Sequence, residues 1–339
     1  MSPAAARVLW LTGLVVASAL VFVLYLTLGG RTVLPWDLAG DTIARFVVLE
    51  VRLPRAILAF LTGGILALSG TVFQAVLRNP LADPYIVGVS GGAALGATVA
   101  LAAGLSAVPL ALPFGLALGP VFLASFIGAS GATALLYLFA SRRGTLRTTH
   151  LLLMGVVFNF FASAMIMVIK TLVSPTKAQE ILFWLMGTVA HPPGPPSALA
   201  LPAVLVLAGL ALLWSRARAL NALSLGSRFA HDVGVDPAGI RRLAFLTGSA
   251  LVAIAVSTTG FIGFVGLVVP HALRLVAGPD HRLLIPASFL GGGVFLLLAD
   301  LLVRFTFPVV GTQLPVGAVT ALVGGPLFIL LLSRDGKGG

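Results

Sequence analysis

The sequence predicts an all-α polytopic membrane protein with about ten spanning helices, and three observations predict it. Of 339 residues, 59% are hydrophobic and only 9% are charged, with a mean hydropathy of +1.10. A soluble domain carries roughly 25% charged residues, and a surface this poor in charge would not stay dispersed in water. Apolar runs of roughly the 20 residues needed to cross a bilayer recur along the chain. The formal charge of +11 is not gathered into a nucleic-acid-binding arm. Basic residues fall instead in short stretches between the apolar runs, where they act as topology signals. The chain has no cysteine, which excludes disulfide scaffolds, thiolate metal sites and cysteine nucleophiles.

Arg7, an apolar run and Ala17-Ser18-Ala19 resemble a signal peptide. The run continues to about Gly30, beyond the roughly 7–15 residues of a signal core, so Val8–Leu28 reads as a retained first span. A polar stretch with Asp37, Asp41 and Glu50 precedes the second span, Ala56–Leu77. From Pro84 to Ser141 no residue is formally charged, which is too long for one span. Pro109, Pro113 and Pro120 divide it into Tyr85–Gly104 and Val121–Ala140. His150–Ile169 is the fifth span, and Ile181–Ala190, too short to cross and followed by HPPGPP, reads as an interfacial helix. Ser197–Trp214, Leu243–Thr259, the short Phe261–Ala277, Leu283–Phe305 and Pro315–Leu332 complete the series.

With the N-terminus inside, roughly 14 of the 21 Lys and Arg fall on the cytoplasmic side, among them Arg78, Arg142, Arg143, Arg147, Arg216, Arg218, Arg228, Arg241, Arg242, Arg282 and Arg334. Both termini are then expected in the cytoplasm. Arg52, Arg55 and Arg304 fall on the outer side, against the rule. The whole of 1–339 reads as one membrane domain. Its largest inner loop, 215–242, is expected to hold two short helices. Ser227 caps the first and Gly234 ends it; Asp236 caps the second, with Pro237 at its first position.

Gly88-Val89-Ser90-Gly91-Gly92 matches serine-nucleophile patterns. One pattern needs a strand-to-helix elbow on an α/β sheet, and no such sheet is expected. The other needs a histidine facing Ser90 within the membrane. Of His150, His191, His231, His271 and His281, only His271 falls inside a span. Packing explains the glycines better. Gly88, Gly92 and Gly96 recur every four residues, and a stripe without side chains lets two helices approach closely in lipid. Asn79-Pro80 and Asp83-Pro84 mark an inner turn in which Asp83 caps the following helix. Asp300 and Arg304 stand four apart, either as an i, i+4 pair or as part of a partner or gating site. Lys170 is expected to snorkel to the interface. His271, after Pro270, is expected in a kink with its ring satisfied. No phosphate-binding loop G-x-x-x-x-G-K-[ST] and no H-E-x-x-H zinc motif occurs. Few carboxylates lie mid-membrane, unlike a proton-coupled carrier.

Three segments resemble the FecCD-type permease family, the membrane subunits of ABC importers for iron-siderophores, haem and vitamin B12. They are Arg52 to Ala97, Gly260 to Ser288, and Leu296 to Leu332, the last holding LLLADLLVRFTF and LPVGAVTALVGGPLFILLL. Order and spacing agree over nearly the whole chain. The resemblance implies a type II ABC importer permease fold, a homodimer, two separate ATPase subunits, a periplasmic or lipid-anchored binding protein, and a bacterial inner-membrane location. It implies no cofactor and no catalysis in this chain. It assigns binding-protein docking to Arg52, Arg55 and Arg304, as exposed ion pairs worth roughly 0–1 kcal/mol each. ATPase coupling falls on Ser227, Arg228, His231, Asp232 and Gly234, where the stretch departs from many relatives, which carry a glutamate near Ser227. An iron-siderophore is the favoured cargo, with haem and cobalamin as alternatives. An ATP-independent carrier and an intramembrane serine hydrolase are the rival readings.

Overall fold

A computed structural model describes residues 3–29, 32–34, 36–105, 110–112, 116–142, 145–146, 148–190 and 199–335. The HPPGPP run with His191, the prolines 109 and 113, Arg143, Arg147 and the expected start of the sixth span at Ser197 lie outside the described residues. The helices are α1 (Pro3–Thr27), α2 (Asp37–Gly40), α3 (Thr42–Phe46), α4 (Leu53–Leu77), α5 (Val89–Ala102), α6 (Pro120–Ala140), α7 (Thr148–Leu172), α8 (Pro175–Leu185), α9 (Ala200–Ser215), α10 (Ala217–Leu225), α11 (Ser227–Asp232), α12 (Pro237–Thr259), α13 (Val265–Ala277), α14 (His281–Val310) and α15 (Val316–Asp335). Two small antiparallel hairpins, β1–β2 (Leu110–Leu112 with Leu116–Leu118) and β3–β4 (Ser141–Arg142 with Thr145–Leu146), are the only strands among the described residues. Six helices are long and apolar enough to cross a membrane, the bent pair α9–α10 adds a seventh, and α5, α13 and α15 are shorter apolar helices. These ten correspond to the ten expected spans.

α4 is the centre. Its span is 83% buried, against 11% for α1 and for α7 at the periphery. It packs on α12, α13 and α14, and α5 packs on α6 and α7. The central seams are side-chain-poor. A Cβ on Gly63 would run into the Gly292 carbonyl of α14, and one on Gly70 into the Gly266 carbonyl of α13. Hydroxyls fasten the same seams: Thr71 donates to Ser288 (2.8 Å) and Ser257 to Ser125 (3.1 Å). In lipid, where burial of apolar surface does not favour one helix pair over another, close backbone approach and such bonds hold helices together.

Three elements differ from the sequence expectation. The second span starts earlier, because Asp41 accepts hydrogen bonds from the Ile43 and Ala44 amides and starts α3, which continues through a π-helical turn, Val47–Arg52, into α4. The interfacial helix is α8, shifted towards the N-terminus because Pro175 opens it; residues 187–190 are not helical. In the 215–242 loop the short helices are α10 and α11. The helix that Asp236 caps is no short helix but the start of α12, a spanning helix of 23 residues. Ser227 does not cap α11. Gly226 holds the cap position and the Ser227 hydroxyl accepts from Arg241 instead. Gly234 (φ +81°) does terminate α11.

Candidate functional site: a cavity with a charged end and a loop end

α5, α7, α13 and α15 line an open cavity of about 710 Å³. One face of α7 lines it, through Val156, Asn159, Phe160, Ser163, Met167 and Lys170, and the opposite wall is Phe261, Gly263, Phe264 and Leu267. Phe160 and Met167 remain more than 70% exposed along this face. Lys170, expected to snorkel, is part of the cavity wall. Asp83 and Tyr85 also line it, so the Asn79–Gly88 segment is more than a turn between spans. The Asn79 side chain accepts from Leu81 N (2.9 Å) and Asp83 accepts from Tyr85 N (2.7 Å), starting a 3-10 helix, Pro84–Val87. Asp83 keeps some surface towards the cavity but is ringed by protein, and burial pushes its carboxyl up to about 6, with the Tyr85 amide opposing. Non-helical backbone is tolerated beside lipid where it lines a cavity.

Gly88 stands apart from the glycine ladder. It adopts φ +84° ahead of α5, where left-handed geometry favours glycine. Gly92 and Gly96 face α6, and a Cβ on either would strike a carbonyl, that of Gly128 or Ala124. Ser90 is buried and donates to the Tyr85 carbonyl (3.2 Å); among the described residues no histidine hydrogen-bonds to it. His271 packs edge-on against Phe328.

At one end of the bundle lies a second cavity, of about 220 Å³, lined by Gly29, Val47, Val51, Arg52, Arg55, Val303, Arg304, Phe307 and Gln313. All three outer arginines expected from the sequence meet here. They are not surface charges, however. Arg52 is 6% exposed, and the side chains of Arg55 and Arg304 are 12% and 13% exposed. Arg52 donates to the Leu26 and Thr27 carbonyls. Asp300, fully buried behind the cavity, is held bidentately by Arg55 (2.8 and 2.6 Å). The Tyr25 hydroxyl also donates to Asp300, and the Arg304 guanidinium lies 3.9 Å over the Tyr25 ring. The expected i, i+4 contact of Asp300 with Arg304 exists at 3.6 Å, but Arg55, on α4, is the closer partner. Tyr25 and Asp300 were invisible as a pair from sequence, being 275 residues apart.

The other end carries the 215–242 loop. Arg228, His231, Asp232 and Gly234 are exposed, and Ser227 is half-buried under Arg241. His231 and Asp232 approach to 3.9 Å while 81% and 66% exposed. Sequence reasoning missed Leu225, Phe229 and Val233, which stand four apart and are 71%, 46% and 53% exposed. Leu225 ends α10, and Phe229 and Val233, four apart on α11 and its C-terminal cap, offered an i, i+4 signal. Asn221 ties the loop to α14: it donates to Asp280 (2.8 Å) and accepts from the His281 amide (2.9 Å).

Known proteins share this plan. A cobalamin import system permease protein, BtuC, of Halobacterium salinarum is 43% identical over 295 residues, covering 86% of this chain and 74% of that protein. The hemin transport system permease protein HmuU of Yersinia pestis is 37% identical over 310 residues, covering 91% and 89%. A solved structure described as an inward-facing conformation of a metal-chelate type ABC transporter superposes with a TM-score of 0.84 at 32% identity, covering 96% of this chain and 98% of that one. Residues 14–334 match the FecCD transport family over nearly the whole bundle, and the chain belongs to that family as a non-enzymatic, multi-pass permease subunit of an ABC importer.

Proposed function

We propose that two copies of this chain form the pathway for a metal chelate across a bacterial inner membrane, with both termini cytoplasmic. The observation that carries this reading is the 710 Å³ cavity, whose walls are apolar and whose α7 face is left uncovered by the chain itself. A second copy set against that face would close it. The relatives named for cobalamin and hemin make these metal–tetrapyrrole chelates the first cargoes to test, ahead of the iron-siderophore favoured by sequence alone.

A loaded binding protein docks at the arginine end. Arg52, Arg55 and Arg304 form a socket with three guanidinium groups and one buried carboxylate behind them. A partner carboxylate entering it meets desolvated donors, a stronger and more selective contact than an exposed ion pair. At the loop end two ATPase subunits engage Ser227, Arg228, His231, Asp232 and Gly234, with Leu225, Phe229 and Val233 supplying apolar contact. ATP-driven motion of α10 and α11 reaches the pathway through the Asn221 link to α14 and through α12, which follows the loop directly. The helices then shift on seams that have two packed arrangements, which gives alternating access. No covalent chemistry is assigned to this chain.

The test is uptake into liposomes holding the chain with its cognate ATPase and binding protein. Accumulation of cobalamin or haem is expected only with hydrolysable ATP inside. Uphill accumulation by the chain alone would sink the reading in favour of a secondary carrier. Loss of uptake in Ser90→Ala together with fluorophosphonate labelling of Ser90 would favour a hydrolase.

A further inference from the structure

The cavity wall contains a knot that the transport reading leaves unexplained. α12 stops at Gly260, and α13 begins only at Val265, after Phe264 at φ +70°. The backbone groups of residues 261–263 therefore lack helical partners. The Tyr85 hydroxyl supplies two of them. It donates to the Ile262 carbonyl (2.9 Å) and accepts from the Ile262 amide (3.2 Å). Its ring packs on Phe261 with centroids 4.4 Å apart. At the other end of the same residue, the Tyr85 carbonyl accepts from Asn159 of α7 (2.9 Å) and from Ser90 of α5.

Two further segments meet the same break. The Thr188 amide donates to the Thr259 carbonyl (2.7 Å). A Cβ on Gly187 would strike the Phe261 carbonyl, one on Gly260 the Trp184 carbonyl, and one on Gly317 the Met186 carbonyl. The stretch after α8, the start of α15 and the α12–α13 break are thus in backbone contact, and Tyr85 joins them to α5 and α7. Ile262 and Tyr85 are 0% and 8% exposed.

We propose that Tyr85 is a positioning residue for transport. Its hydroxyl latches the 83–88 segment to the α12–α13 break and so fixes the width of the cavity between α7 and α13. This rests on the cavity being the pathway. The latch suits a wall that moves: one hydroxyl makes both bonds, and cavity water can take over both backbone groups when it leaves, because Phe261 and Gly263 beside it already line the cavity.

The cysteine-free chain allows a direct test. Ser163→Cys on the cavity wall is reacted with a membrane-impermeant maleimide in liposomes holding the full chain, with and without Tyr85→Phe. The phenylalanine keeps the ring contact and removes both hydroxyl bonds. Labelling is expected to rise about fivefold or more, the factor that one net hydrogen bond represents, in a protein that still folds and whose melting temperature falls by no more than the loss of that bond accounts for. Ser257→Ala, which removes a buried hydroxyl bond between α12 and α6 outside the cavity lining, should leave the rate unchanged; a rise equal to that of Tyr85→Phe would overturn the assignment to the Tyr85 hydroxyl. Labelling in the parent that Tyr85→Phe does not change overturns the latch while leaving the pathway reading intact. Absence of labelling in both overturns both. Failure of Tyr85→Phe to fold also overturns the latch, since the hydroxyl would then belong to the fixed frame.

Discussion

The two ends of the bundle, proposed to meet different partners, are built in opposite ways. At the arginine end, charge is buried and its geometry is set before any partner arrives: Asp300 fixes Arg55, Tyr25 supports both Asp300 and Arg304, and the guanidinium groups line a small cavity. At the loop end, charge lies in water and has few fixed partners, and large apolar side chains are exposed on short helices. The difference is what the side chains cost to leave alone. A buried arginine without a counter-charge is expensive, so its surroundings must be complete in the isolated chain. An exposed arginine or leucine costs little, so the loop can wait for a partner to cover it. Under the proposed docking, the arginine end would give selectivity and the loop end a removable mechanical grip.

The strongest way to break this contrast is Asp300→Asn. It keeps the size of the side chain and strands Arg55 beside Arg304 without a carboxylate, so a loss of about 3–5 kcal/mol of stability is expected. Thermal or denaturant unfolding in detergent reads it. Asp300→Leu combined with Tyr25→Phe, Arg55→Met and Arg304→Met should recover much of that loss, because no buried guanidinium or hydroxyl is then left without its carboxylate. A wild-type melting curve for Asp300→Asn would mean that the arginines are not held by their carboxylate.

Asp83 isolates the quantity by which the ends differ, the burial of a charge with no cation beside it among its recorded contacts. Its carboxyl sits at about 6 in place of an ordinary 3.8, with burial as the cause. The folded state holds the proton more tightly than the unfolded one. Stability should be full below about pH 4, fall as pH rises through 6, and level off above that, by about 3 kcal/mol at most. Asp83→Asn keeps an acceptor for the Tyr85 amide and should flatten that slope between pH 4 and 6. An identical slope in both proteins would assign the pH dependence elsewhere.

How legible the two ends were in the sequence follows the same division. Ten apolar runs gave ten helices, because crossing a bilayer imposes a length and a composition that no tertiary contact can override. Arg52, Arg55 and Arg304 stood out because they broke the charge rule. What could not be read was that they converge on one cavity and are buried: that needs α4 and α14 side by side, a contact across 245 residues. Tyr25 gave no local signal. The loop misled in a different way. Asp236-Pro237 is a correct helix start, but nothing local distinguishes a short helix from the first turns of α12. Ser227 has the right chemistry for a cap, and Gly226 and Arg241 displaced it from that role. The 83–88 segment hid most completely, since a proline-bearing turn reads the same whether it faces cytoplasm or a cavity wall.

The contrast sharpens at the loop with Phe229→Ala and Leu225→Ala. Leu225 is largely exposed and Phe229 about half, so stability should fall by no more than about 0.5 kcal/mol for Leu225→Ala and about 1 kcal/mol for Phe229→Ala. Affinity for the ATPase subunit should fall about tenfold if these residues are the apolar anchors of that interface, as measured by co-purification at graded concentrations. A large stability loss with unchanged ATPase affinity would move them from the interface to the fold.

His231 and Asp232 give the smallest expected effect and the finest discrimination. Their contact is long, at 3.9 Å, and both side chains are mostly in water. A pair of that kind is worth little and is screened by salt. His231→Ala, Asp232→Ala and the double variant should all melt with the parent. Effects on ATPase affinity should be a fewfold at most and should shrink at higher ionic strength, whereas those of Phe229→Ala should persist. That split separates a charged rim from an apolar centre within one short loop. If instead Asp232→Ala cost as much affinity as Phe229→Ala and resisted salt, the loop would be gripping its partner through a desolvated charge, as the arginine end is built to do, and the two ends would no longer be opposites.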